Sequence, residues 1–560
     1  RRYDGQGRLL QEFVNGRALT YDYDAVGRRT GRETPGGVRS SWRYDALGNR
    51  TAMVFAGREI NFTFDEVGRE LTRHIRDTDL AFAHEYDAAG RLVSQNVTAQ
   101  DAAVRHRVFT YRADGCISAV DDRHAGSRRF RLDPVGRVTA VHAHQWTERY
   151  AYDGAGNQMS ASWPEGHPGE DALGERVYMG ARLLRAGRVR YQHDALGRIV
   201  VRQKVHLSGR RDTWRYVWDV EDRLTSVTTP DGTLWRYEYD PLGRRTAKSR
   251  MAADGKTVVE RVDFTWDASK LCEQTTVAPD ASRQVTLTWD HRGQQVVAQA
   301  ERLSVARAPQ EEIDSRFFAI VTDGIGTPTD LVDESGTVAW RARSTLWGVT
   351  AWPKESRAYT PLRWPGQYYD PESGLHYNYF RHYDPETGRY VTSDPLGLSP
   401  APNPFTYVRN PLIDTDVLGL APDYPLGERG NPFSSRADAE KAAFEVAGVP
   451  HGSTPDAEWL VMGDKRYKNM PGYVYSKDPT HWGNFRQFET DNGSRVIVEH
   501  THDPAGPHFH AGAPKGMTPE ERSRNLVNFG WDNTQEGYGT MERYRALDKP
   551  GGDHHFFFQN

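Results

Sequence analysis

"RLTSVTTPDGTLWRYEYDPLGRR", residues 223–245, holds one whole structural unit of this chain. Leu224, Ser226 and Thr228 alternate with Thr225 and Val227, and a period of two marks a β-strand. Pro230-Asp231-Gly232 supplies a hairpin turn, and the alternating aromatic run "TLWRYEY" that follows supplies the returning strand. At Tyr239-Asp240 the chain turns again. The Asp carboxylate can accept turn amide hydrogens, Gly243 can take a positive φ, and Arg244 opens the next strand.

The unit recurs. "YDGQGRL" starts at Tyr3, "YDAVGRR" at Tyr23, "YDALGNR" at Tyr44, "FDEVGRE" at Phe64 and "YDAAGRL" at Tyr86, at intervals of 20, 21, 20 and 22 residues. Further copies begin at Tyr111, Leu132, Tyr152, His193, Trp218 and Tyr239, with weaker forms at Trp266 and Trp289. A period near 21 is too short for a pair of helices and suits strand, turn and strand. These units resemble the YD repeats of Rhs and teneurin-like proteins. The resemblance covers most of residues 1–300 and implies a mainly β fold, a long sheet that spirals into a hollow shell.

The chain has 560 residues and a net charge of −4, with a mean hydropathy of −0.75. That balance argues against a general nucleic-acid coat or a polybasic membrane binder. No apolar run reaches the roughly 18 residues of a transmembrane helix. Cys116 and Cys272 are the two cysteines, which excludes a disulfide scaffold and a cysteine-rich zinc site. The chain opens at Arg1 inside a repeat, so a longer N-terminal part is expected before it.

Residues 316–420 form a second segment, after a repeat region of 1–315. "PLRWPGQYYDPESGLHYNYFRHYDPETGRYVTSDPLGL" (361–398) packs aromatics, Asp-Pro and Gly at fixed offsets, the makings of short rigid hairpins. It is similar to the Rhs-associated core region. "DPLGL" begins at Asp394 and "DVLGL" at Asp416. The resemblance implies an aspartyl self-protease built from Asp394 and Asp416, with Arg389 nearby, that cuts the Leu420–Ala421 bond. Two close carboxylates share a proton and can supply both the base and the acid of peptide hydrolysis. The second copy has Val417 where the family has Pro, and Asp414 stands two residues before Asp416, so sequence leaves the roles of the two aspartates open.

Beyond Leu420 the composition changes, and residues 421–560 read as a small α+β domain. "SSRADAEKAAFEVAG" is a helix capped at Ser434 or Ser435 and stopped at Gly448. "GYVYSK", "WGNFRQFETDNGSRVIVEH" and "HFHAG" read as strands, and "TPEERSRNLVNFGW" as a second helix capped by Thr518. Eight of the chain's 20 histidines lie here, six of them as His500, His502, His508, His510, His554 and His555. In a strand, positions i and i+2 share a face, and the turn material "DPAGP" would set the first two pairs on adjacent antiparallel strands. Converging imidazoles suit metal-free acid–base cleavage of RNA, with Lys515 or Arg495 steadying the phosphate. No cofactor is needed for that chemistry. Alternatively His508 and His510, with Asp503, Glu499 or Asp553, bind zinc or another divalent ion such as magnesium. No cysteine follows Leu420, so a thiol nucleophile is excluded.

The resemblance further implies a secreted bacterial effector used in interbacterial competition through type VI secretion. Self-cleavage would free the C-terminal toxin, which is delivered into a target cell. Its partners would be a cognate immunity protein, a secretion apparatus reached through the N-terminal part, and a nucleic-acid substrate, RNA being favoured. A zinc-dependent cell-wall peptidase and a non-enzymatic adhesion module are the alternatives. Residues 421–560 hold 15 Lys plus Arg against 20 Asp plus Glu, so any phosphate attraction must be local to a groove.

Overall fold

The computed structural model describes residues 1–46, 48–100, 102–206, 208–277, 283–305, 314–398, 401, 403–420, 436–450, 452–461, 483–490, 493–500, 508–514, 544–546 and 555–557. The chain forms two compact units: Arg1–Asp87 with Leu92–Pro422, and Ala88–Arg91 with Asp423–Asn560.

Among the described residues, the larger unit carries a 31-stranded sheet that runs from Arg2–Tyr3 to Val338–Arg341. Each strand pairs antiparallel with the next in sequence, as Arg211–Trp218 does with Leu224–Thr228 and that strand with Leu234–Tyr239. The repeat turn explains why. Asp240 donates its amide to the Arg244 carbonyl at 2.9 Å, its Oδ1 accepts the amides of Leu242 and Arg244 at 2.9 and 3.0 Å, and its Oδ2 accepts Arg244 Nε at 2.7 Å. Gly243 supplies the left-handed step at φ 80°. The same bonds recur at Asp24, Asp65, Asp133 and Asp219.

The turns also tie each repeat to its neighbours. The hydroxyl of Tyr239 donates back to the Leu224 carbonyl at 2.8 Å, as Tyr23 does to Leu9 and Tyr152 to Val138. The turn arginine reaches forward: Arg8 Nη1 donates to the Asp24 carbonyl at 3.1 Å and Arg137 Nη1 to Asp153 at 2.9 Å. Each of these guanidiniums also lies over the next repeat's tyrosine ring, about 5 Å from its centre. An Asp133→Ala chain loses the oxygen that accepts the Val135 and Arg137 amides and the partner of Arg137 Nε, a cost of about 1–3 kcal/mol. Hydrogen exchange should show faster opening of the turn amides at Val135 and Arg137, with little change two repeats away.

The simple alternation expected for 224–228 is corrected by a bulge. Ser226 pairs with Val217 but Leu224 with Trp218, so Thr225 is an extra residue. Leu224 and Val227 therefore share the buried face. The same register shift follows the turns at Tyr23, Tyr44, Phe64, Tyr111, Leu132, Tyr152, His193 and Tyr239.

The sheet winds until early strands face late ones. Arg17 pairs with Glu273 at 3.0 Å, Arg29 with Asp267 at 2.7 Å, Glu70 with Arg292 at 2.9 Å and Arg105 with Asp330 at 2.9 Å. Between the two layers Phe55, Ile60, Phe62 and Val97 pack with Val297, Phe317, Val321 and Val332.

From the segment that follows, Leu346, Trp347, Trp364, Leu375, Tyr383, Tyr390 and Tyr407 pack on the buried face of this sheet. A four-stranded antiparallel sheet, Tyr368–Asp370, Leu375–Asn378, Arg381–Asp384 and Arg389–Tyr390, forms the two aromatic hairpins. Trp364 stacks on Tyr407 with ring centres 4.8 Å apart, and Tyr383 lies 4.9 Å from the same ring. Each "DPE" turn docks on cations of the sheet. Asp370 takes Arg245 in a two-point bond at 2.6 and 3.0 Å, with Lys248 bridging Asp370 and Glu372. Glu386 holds Lys204 at 2.7 Å. Burial makes these bonds costly to break.

In the smaller unit, strands Ala457–Val461, Gly483–Thr490, Gly493–His500, His508–Pro514 and Tyr544–Ala546 form an antiparallel sheet, and His555–Phe557 pairs with His508–Pro514. Helix Arg436–Ala447 covers one face, with Ala439, Ala443, Phe444 and Ala447 on Phe488, Ile497, Phe509 and Ala511. The expected strand "GYVYSK" and the expected helix from Thr518 lie outside the described residues, as do Ser434 and Ser435.

Candidate functional site

The doubled aspartate motif converges on one guanidinium. Arg381 opens the strand Arg381–Asp384, and its side chain is buried. Its Nη2 meets Asp394 Oδ2 at 2.7 Å and Asp416 Oδ2 at 3.3 Å. The same nitrogen donates to the Leu420 carbonyl at 3.3 Å, while Nε donates to the Gly419 carbonyl and Nη1 to Pro404 at 3.1 Å. Asp416 Oδ1 accepts the Leu420 amide at 2.9 Å, and its Oδ2 accepts the Tyr390 hydroxyl at 2.7 Å. Asn378 Nδ2 donates to both the Tyr390 hydroxyl and the Asp416 carbonyl at 2.8 Å. The residue before the expected scissile bond is thus gripped at both its amide and its carbonyl.

Burial raises the Asp416 carboxyl to about 6; Arg381, the Tyr390 hydroxyl and the Leu420 amide oppose the rise, and the Asp394 charge adds to it. Burial also raises Asp394, against the pull of Arg381. Gly419 holds φ 71°, and a Cβ there would come within 2.5 Å of the Asn378 carbonyl, so only glycine lets the segment lie this close.

The expected arginine is replaced here, and the two aspartates left open by the sequence take different partners. Arg389 is not the arginine of this cluster: its Nη2 bonds the Ala181 carbonyl and its guanidinium lies over Tyr178 and Phe405. Arg389 follows a turn at Gly388, whereas Arg381 faces Asn378 across the preceding hairpin. Asp414 is separated from Asp416: its Oδ2 accepts the Asn410 amide at 3.0 Å, closing a local turn. Arg381, Asn378 and Tyr390 carry no spacing signal that would have found them, because the fold alone brings them to Asp416.

In the smaller unit three of the expected histidines meet. His500 opposes His508 in register, and His508 and His510 share a face. Their ring centres are 4.7–4.8 Å apart and all three are buried. Their ring nitrogens lie within 4.8 Å of one another. His555 stands opposite His510 in the register. His502, Asp503, Lys515, Asp553 and His554 lie outside the described residues. Glu499 does not join the histidines as a ligand; neighbouring strand positions face opposite ways, and its carboxylate takes Arg436 at 2.6 and 2.7 Å. Arg495 directs Nη1 to the Ser494 carbonyl.

With the geometry in place, comparison with known proteins gives the class. A family model described as RHS Repeat matches residues 3–39 and 218–257, and one described as RHS protein matches 318–352. The chain belongs to the RHS-repeat family. It is 30% identical over 76% of its length to "Double-stranded DNA deaminase toxin A" of Burkholderia cenocepacia, covering 30% of that protein. It is 29% identical over 81% of its length to "Probable deoxyribonuclease RhsA" of Dickeya dadantii, covering 32% of it. The chain therefore spans about a third of the length of these relatives. The crystal structure of TcdB2-TccC3-TEV matches with a TM-score of 0.59 at 18% identity, over 75% of this chain and 23% of that one, a likeness of fold.

Proposed function

We propose that the chain is the shell and junction of an Rhs effector that severs its own Leu420–Ala421 bond and so frees a C-terminal toxin. The observation that carries this reading is the Arg381 guanidinium, bonded at once to Asp394, Asp416 and the Leu420 carbonyl. Arg381 polarises that carbonyl and receives the negative charge of the tetrahedral intermediate. One carboxylate draws a proton from water, whose oxygen adds to the Leu420 carbon. The other carboxyl gives its proton to the Ala421 nitrogen as the C–N bond breaks, leaving a carboxylic acid and an amine.

The freed part acts on nucleic acid through its clustered histidines, RNA being the first substrate to test. The names of both relatives, a DNA deaminase toxin and a probable deoxyribonuclease, favour a nucleic-acid target. Delivery into a competing bacterium by a secretion apparatus, and a cognate immunity protein in the producer, complete the proposal.

The test is the pH profile of cleavage. An ordinary Asp loses its proton near 3.9; Asp416 keeps its own to about 6, so the pair shares one proton across that wider range. Above it both carboxyls ionise, and the rate falls roughly tenfold per pH unit. Dilution of the denatured chain into buffers from about pH 4.5 to 8.5, followed on gels, should show this descending limb for a fragment starting at Ala421. An uncut chain at every pH would refute the self-protease.

A further inference from the structure

We infer that His500, His508 and His510 together form a binding site for one divalent transition metal, zinc first among them. The backbone fixes the arrangement. His500 and His508 are directly opposed on adjacent antiparallel strands, and His510 follows His508 on the same face, so three Cβ atoms start from one rigid patch. The rings lie with centres 4.7–4.8 Å apart, and each offers a nitrogen within 4.8 Å of the other two. Around a tetrahedral zinc, with Zn–N of about 2.05 Å, ligand nitrogens sit about 3.4 Å apart. Small ring rotations close that difference.

The type of donor favours the same conclusion. Imidazole is a donor suited to zinc, copper and nickel, and three protein ligands are the set of a hydrolytic zinc centre, the remaining position being taken by water or substrate. All three residues are almost completely buried, a placement that suits metal ligands better than side chains that must touch a polynucleotide directly. Glu499, held by Arg436 on the other face, lies outside the site. The inference deepens the nucleic-acid reading by changing the histidines from proton carriers to ligands. Its use in catalysis rests on that reading, but its existence does not.

The test equilibrates the full chain with zinc, removes free metal by gel filtration and measures the metal retained by mass spectrometry. About one zinc per chain is expected. His500→Ala, His508→Ala and His510→Ala should each lower it to near none, and Glu499→Gln should leave it unchanged. Cobalt in the unsubstituted chain should give the visible bands of a four-coordinate centre, a readout independent of whether any variant folds. An unsubstituted chain that retains no zinc or cobalt overturns the inference, as does undiminished zinc in all three histidine variants. Cutting at Leu420 is scored on the same samples, so loss of metal and loss of self-cleavage are told apart.

Discussion

An Asp416→Asn chain should run as one full-length band where the unsubstituted chain gives two. Asn has the shape of Asp and still accepts the Leu420 amide that Asp416 Oδ1 holds at 2.9 Å, so the segment stays in place. What disappears is the ionisable carboxyl, and loss of a general acid or base slows a reaction about 10²–10⁴-fold. Asp394→Asn should behave alike, since its carboxylate sits on the same Arg381 nitrogen. Asp414→Asn should cut normally, because the Asp414 carboxylate accepts the Asn410 amide of its own turn, whereas the Arg381 guanidinium meets Asp394 and Asp416. Two bands from Asp416→Asn, read by gel and confirmed by intact mass, would remove this residue from the chemistry.

The largest loss of stability should come from Asp370→Ala. Asp370 is fully buried and binds Arg245 at two points, with Lys248 alongside. Removing one member of such a pair strands the other and typically costs about 3–5 kcal/mol. Lys248 keeps Glu372 at 2.9 Å, and Arg245 keeps the faces of Phe264 and Tyr377 at 4.8 and 4.3 Å. The low end of that range is therefore expected. The denaturant midpoint of the larger unit should drop accordingly, whereas Asp22→Ala, which breaks an exposed pair with Arg39, should barely move it. Equal midpoints for the two variants would show that the hairpins are not held by their buried ions.

The meander was legible because its causes are local. Tyr-Asp, Gly three residues after the Asp and the Arg beyond it all act within one turn, and a 21-residue period repeats them. The bulge was missed because Thr225 looks like any alternating residue until Ser226 and Leu224 are seen to pair out of step. The histidine hairpin was legible for the same local reason: i, i+2 spacing and a turn suffice to oppose His500 and His508. Arg381 was not. Its partners stand 13 and 35 residues away along the chain, and Arg389, closer in sequence to Asp394, was the natural choice. Which arginine reaches a carboxylate depends on the strand face it leaves from, and sequence gave no register for these hairpins. Glu499 was misread similarly: the composition of "VEHTH" marks a polar cluster, but strand alternation sends Glu499 to the helix side.

The pairing of early with late strands has a counting consequence. Arg17 finds Glu273, Arg29 finds Asp267 and Arg105 finds Asp330 only if a set number of repeats lies between them. Excising one intact 21-residue module would leave every turn and every neighbour bond well formed, yet slide all later arginines away from their acidic mates. Evolution of such a wall can therefore exchange one module for another freely, but can change their number only in steps that restore the stagger.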